Sequence, residues 1–113
     1  HDEGLRPEQG GALVDEIETG GVILRHHARR GETAPELSGH FHPRLRLSVR
    51  GRNIVRPCAV ASENRLVLPA FGAFTGGMDA ADPAILCALQ PARRIRALLA
   101  TKGKVAEFPL WAA

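Results

Sequence analysis

Residues 44–50 read Arg-Leu-Arg-Leu-Ser-Val-Arg, a strict alternation of polar and apolar side chains. A period of two marks a strand with one face buried and the other in solvent, whereas a helix needs apolar residues three and four apart. The apolar face would be Leu45, Leu47 and Val49, and the solvent face Arg44, Arg46 and Arg50. Gly51-Arg52-Asn53 supplies a turn into Ile54–Ala61, and Ser62-Glu63-Asn64 another into Arg65–Ala70, so an antiparallel meander of three strands is expected. Upstream, Ala12–Glu18 and Val22–Arg25 flank Thr19-Gly20-Gly21 in the pattern of a tight hairpin. One helix is predicted from Asp82-Pro83 through Leu89, because a capping carboxylate there precedes Pro at the first helical position. Pro91–Ala100 has a helical composition, but Ile95, Ala97 and Leu99 alternate ahead of a Thr101–Lys104 turn and Val105–Phe108. A closing hairpin is the favoured reading.

Such a pattern needs a core, and 113 residues with 44% apolar content supply enough for one domain and too little for two. That content with mixed charges argues against a disordered or collagen-like chain. With one Trp, four Phe and no Tyr, the core must rest on Leu, Val, Ile and Ala. No apolar run approaches the roughly 20 residues that span a bilayer, so no membrane partner is expected. Cys58 and Cys87 form no C-x-x-C motif and are read as buried reduced thiols, which fits a cytoplasmic protein. The chain opens at His1-Asp2 without Met, which is expected of a fragment, a processed form or a miscalled start.

The net charge of +3 hides a strong asymmetry. Residues 1–18 carry a net of −5 and residues 25–65 a net of +6, and 13 of the 15 basic residues are Arg. Arginine suits bidentate contact with phosphate, although a solvated face would look the same in sequence.

All five histidines fall within residues 1–42, at 1, 26, 27, 40 and 42. Glu36-Leu37-Ser38-Gly39-His40-Phe41-His42-Pro43 reads as a short strand running into a tight loop, where imidazoles two residues apart can diverge toward two adjacent metals. Imidazole suits Mn, Fe, Zn and Ni, so the spacing alone does not choose the metal. Gly21–Leu24 is a buried-type strand leading through Arg25 to His26, at an end where side chains face a crevice. His27 is one step on and should face the other way.

An apolar strand ending in His, followed 14 residues later by Gly-His-Phe-His-Pro, resembles the two C-terminal motifs of the calcineurin-like metallophosphoesterases. His1-Asp2 resembles the second half of that superfamily's G-N-H-D motif. Arg56-Pro57-Cys58 and the block from Arg65 to Asp79, with its core Leu66-Val67-Leu68-Pro69-Ala70-Phe71-Gly72-Ala73-Phe74-Thr75-Gly76-Gly77, are similar to the bacterial ligase-associated DNA damage response endonucleases of that superfamily. The resemblance implies an α/β fold, of which residues 1–113 would be the mostly β C-terminal half of a metallophosphoesterase sandwich flanked by helices. It implies two divalent metals, Mn foremost, that activate a water against phosphorus. By motif match, His26 and His40 would ligate one metal and His42 the other. His1 would stabilise the transition state or protonate the leaving oxygen, and Asp2 would orient His1. Gly39 would let the loop backbone approach the metals. The partners implied are DNA and, through the family, a DNA ligase and helicase. Arg44, Arg46 and Arg50, with Arg52 in the following turn, would then contact nucleic-acid backbone.

The superfamily's D-x-H and G-D-x-x-D motifs have no match, since Asp79-Ala80-Ala81-Asp82 lies after Gly-His-Phe-His and lacks the preceding Gly. The bridging Asp and several ligands are therefore missing from these 113 residues, and this chain alone is expected to bind metal weakly and turn over little substrate. Two other readings stay open. One is a nucleotide or small-molecule phosphoesterase, and the other a catalytically dead interaction module.

Overall fold

The computed structural model describes residues 16–70 and 77–113, which form ten strands in two mixed sheets and one short helix. The chain begins with the hairpin of β1 (Glu16–Thr19) and β2 (Val22–Arg25), paired in register from Glu16↔Arg25 to Thr19↔Val22. Gly20 and Gly21 both hold positive φ, 58° and 80°, the combination a two-residue hairpin turn needs and glycine adopts without steric cost. The predicted beginning of β1 at Ala12 lies outside the described residues.

β3 (Glu36–Ser38) lies parallel to β2, joined by a connection over residues 26–35 with no helix in it. Such a connection must satisfy its own backbone. The Glu32 carboxylate accepts from Thr33 N at 3.0 Å and Ala34 N at 3.1 Å, and Glu36 Oε2 accepts from Arg29 N at 3.2 Å.

The next three strands depart from the expected meander. β4 (Pro43–Val49) and β5 (Arg52–Pro57) pair antiparallel as the alternation predicts. At Cys58 the chain then leaves that ribbon, with Cys58 N donating to Pro43 O at 3.1 Å, and enters the other sheet as β6 (Ala59–Ala61). β6 turns through residues 62–64 into β7 (Arg65–Val67), so the single strand expected over Ile54–Ala61 is two strands in two sheets. The reason is packing. Val60 and Ala61 are buried in the main core, whereas β5 is exposed at every residue except Ile54.

β8 (Met78–Asp79) adds a short parallel edge to β4. α1 (Pro83–Ala88) follows, with Asp82 as its N-cap accepting from Ala84 N at 2.8 Å and Pro83 at the start, as predicted. β9 (Arg94–Thr101) and β10 (Lys104–Ala112) form the closing hairpin. The main sheet runs β1-β2-β3-β7-β6-β9-β10, and the second runs β5-β4-β8. Val60, Val67, Ile85, Leu89, Ile95 and Ala97 form the buried centre, with Leu45 and Met78 of the second sheet packed against it. Cys58 is buried there, but Cys87 is exposed, contrary to the expectation that both thiols are interior. Cys87 lies on the solvent side of a six-residue helix whose buried residues are Ile85 and Ala88.

Candidate functional site

Arg25 ends β2 and Ser38 ends β3, and the two are register partners. Parallel strands ending level bring their following residues side by side. Gly39 N donates to His26 O at 2.9 Å, and the rings meet at His26 Nε2···His40 Nδ1, 3.0 Å apart. Two of the sequence-predicted ligands, 14 residues apart, are thus brought together by strand register. His42 stands two residues on, at the root of β4, where its carbonyl accepts from Met78 N at 3.1 Å.

The loop reaches this geometry through left-handed backbone at two non-glycine residues, His40 (φ 68°) and His42 (φ 51°). That region is disfavoured for residues bearing a Cβ, and such strain collects where a side chain must be aimed. Gly39, singled out by the resemblance for approach to the metals, is not crowded by the protein itself. A Cβ built there meets only His26 O at 3.9 Å, an ordinary contact. Gly77 is crowded far more, because a Cβ there falls 2.5 Å from Arg44 Cδ and 2.7 Å from His42 O.

His27 does not face away. Its ring lies 4.3 Å from that of His40 at 32° and 4.8 Å from Phe41, so three imidazoles and a phenyl ring form one cluster. Alternation failed here because residue 26 is already past the end of β2. His27 Nδ1–H donates to Ala28 O at 2.9 Å, which fixes its tautomer. Burial lowers the pKa of His40 from its ordinary value, and positive charge on His27, His26 and His42 lowers it further. A neutral imidazole keeps a lone pair for a cation or a hydrogen-bond donor.

Beneath this cluster is an ion network that the sequence did not announce. The buried Glu36 carboxylate takes Arg25 Nη1 at 2.5 Å and Arg65 Nε at 3.0 Å. Arg25 also reaches Glu32 at 3.0 Å and Glu16 at 2.9 Å. The fully buried Arg65 donates to the carbonyls of Ala88 at 2.7 Å, Arg29 at 2.5 Å and Gln90 at 3.3 Å. It thereby ties the end of α1 to the loop that carries His26 and His27.

The arginines expected on one strand face are split. Arg44 and Arg46 share a face of β4, with Arg44 half-buried and Arg46 exposed. Arg50 lies in the turn with φ 51°, and Arg52 opens β5 opposite Val49, on the other face. Arg56 also lies on that second face, opposite Leu45. His1 and Asp2, and most of the glycine-rich loop at 71–77, lie outside the described residues. Among the described residues, no group of three or more His, Cys, Asp or Glu is arranged to hold a metal ion. No described helix is long and apolar enough to cross a membrane.

Comparison with known proteins agrees with a fold of nuclease or phosphoesterase type. The chain is similar to the crystal structure of the Pseudomonas putida nuclease MPE, with 32% identity and a TM-score of 0.55. The match covers 94% of this chain and 46% of that nuclease, so the chain spans about half the length of the protein it resembles. No family model matches the chain, and no curated protein does.

Proposed function

We propose that this chain is the C-terminal part of a metal-dependent phosphoesterase domain, an α/β sandwich acting on phosphodiesters, with DNA as the substrate. The observation that carries the proposal is the His26–His40 pair. Their ring nitrogens share a hydrogen bond at 3.0 Å, so His26 and His40 are the two side chains placed closely enough that they would hold one divalent ion between them. The donor chemistry fits a divalent ion such as Mn; His26 and His40 would hold one ion and His42 would hold a second. Such ions, when bound, supply an activated water and neutralise charge on the phosphoryl oxygens.

The chain's own residues then have defined tasks. Burial lowers the pKa of His40, which favours the neutral form that can ligate. Packing against His27 holds the His40 ring, and the Ala28 carbonyl holds His27. The Arg25–Glu36–Arg65 network fixes the strand ends from which His26 and His40 project. His1 would stabilise the transition state or protonate the leaving oxygen, oriented by Asp2. Similarity to a nuclease supports the nucleic-acid substrate, and two free thiols suit a reducing cytoplasm.

The test is Mn binding to the full chain by isothermal titration, beside hydrolysis of bis-p-nitrophenyl phosphate. Weak Mn binding is expected, falling at least tenfold in His26→Ala and in His40→Ala. Unchanged Mn binding in both variants would overturn the reading.

A further inference from the structure

Between Pro43 and Pro57 the chain carries five arginines and no acidic residue. Elsewhere four arginines are matched, Arg25 with Glu16, Glu32 and Glu36, Arg29 with Glu16, Arg65 with Glu36 and Arg96 with Glu107, while Arg30, Arg93 and Arg94 form no ion pair among the described residues. Among the described residues, no carboxylate forms an ion pair with Arg46, Arg50, Arg52 or Arg56, and all four are exposed. Like charges on one hairpin repel, so an unmatched set fits best where a polyanion completes it.

The shape narrows which polyanion. Among the described residues β5 is the outer strand of its sheet, paired to β4 alone, and the ribbon ends at the Arg50-Gly51 turn. Near its root Leu45 of the inner strand packs on the core while its partner Arg56 on the outer strand stays exposed, and Val49, Arg50 and Arg52 at the tip are all exposed. Arg46 lies on one face, Arg52 and Arg56 on the other, and Arg50 at the tip. A single strand lying along a surface would be served by cations on one face. A projecting two-stranded ribbon with cations on both faces suits a groove whose two walls are both phosphate. The major groove of duplex DNA, about 12 Å wide, admits a two-stranded ribbon.

We propose that the β4–β5 ribbon is an arm that enters the groove of duplex nucleic acid, with Arg46 on one wall, Arg52 and Arg56 on the other, and Arg50 at the tip. The arm starts one residue after His42, so a duplex held by it lies beside the histidine cluster. This inference rests on the phosphodiester reading only in taking a polynucleotide as the polyanion. Binding is therefore measured in EDTA, where it can succeed even if the metal reading fails.

The experiment is fluorescence anisotropy of the full chain with a mixed-sequence 20-mer, as duplex and as single strand, over a range of salt. The duplex is expected to bind at least tenfold more tightly. Each of Arg46→Ala, Arg50→Ala, Arg52→Ala and Arg56→Ala should weaken duplex binding and lower the log–log salt slope by about 0.9. Arg93→Ala, an exposed arginine outside the arm, should leave both unchanged. A quadruple Arg→Lys variant should keep the slope, which separates lost contacts from lost folding. Three results would each overturn the proposal. The single strand could bind as tightly as the duplex, or the four alanine variants could bind as the parent does. They could also self-associate with unchanged binding, which would make the arginines guards of an open sheet edge and nothing more.

Discussion

Glu36 is shared by two guanidiniums, and neither it nor Arg25 nor Arg65 has appreciable contact with water. Removing one member of a buried ion cluster leaves the others charged and uncompensated, at a typical cost of about 3–5 kcal/mol. Glu36→Ala is therefore expected to destabilise the chain by about that much in urea unfolding, and a loss near 1 kcal/mol would show that water or backbone takes over. The two thiols make a second residue-scale case. Burial, with the nearby charge of Asp79, pushes the Cys58 thiol up to about 11. Because the folded state holds that proton longer than the unfolded state, its contribution to stability is full below the ordinary thiol range and is lost as pH rises from about 9 towards 11. Unfolding midpoints should fall across that window in the parent and stay flatter in Cys58→Ala. Thiol labelling of the native chain at pH 8 should modify Cys87 and spare Cys58, and equal labelling would contradict the burial. At this scale the sequence singled out His26, His40 and His42 but not how their rings meet. His26 and His40 were readable from motif spacing, whereas the contact of His27 with His40 depends on where β2 stops. Glu36 and Arg65 read as ordinary charged residues, because no local pattern marks a carboxylate and a guanidinium 29 positions apart as partners.

Local chemistry decided most of the elements. Gly20-Gly21, Asp82-Pro83 and the alternation of β4 each carry their instruction within a few residues, and each is seen in the fold. The break at Cys58 carries no such signal. Arg56-Pro57-Cys58-Ala59-Val60 continues an apolar-rich run, and only the burial of Val60 and Ala61 against β7 and β9 shows that the chain has changed sheets. Two element-scale predictions follow from this distinction. Asp82→Ala removes the acceptor for Ala84 N, and for a helix of six residues the expected loss is about 1 kcal/mol, read from thermal or urea unfolding. Gly77→Ala is the harsher change, because the His42 carbonyl it would strike is backbone and holds β8 through Met78 N. Overpacking of this kind costs about 1–3 kcal/mol. It should also shift the NMR resonances of His42 more than those of His26, and a neutral substitution with unmoved resonances would count against the close approach.

At the scale of the whole molecule, the main sheet has seven strands among the described residues, and its two edges differ in kind. β1 closes one edge with four exposed residues, two of them acidic, and its Glu16 is held by Arg25 and Arg29. β10 closes the other with nine residues, more than twice the length of β1. A long edge strand offers a row of backbone donors and acceptors to any other strand, and proteins blunt such edges with charge or Pro. β10 has Lys104 at its start and Pro109 near its end, with a register shift just beyond Pro109. Between them Val105 is 66% exposed, the most exposed large apolar side chain among the described residues. The least guarded stretch is therefore residues 105–108, whose one charge, Glu107, is engaged by Arg96 of the neighbouring strand, and where an exposed apolar side chain favours pairing with a second strand. Concentration-dependent association through this edge is the expected behaviour of the isolated chain. Sedimentation across a hundredfold range of concentration should show it in the parent and show it reduced in Val105→Lys. Because Val105 is so exposed, that substitution should alter unfolding stability by no more than about 0.5 kcal/mol, so a change in association cannot be ascribed to a change in folding. A parent that stays monomeric throughout, or a lysine variant that associates equally well, would place the contact elsewhere.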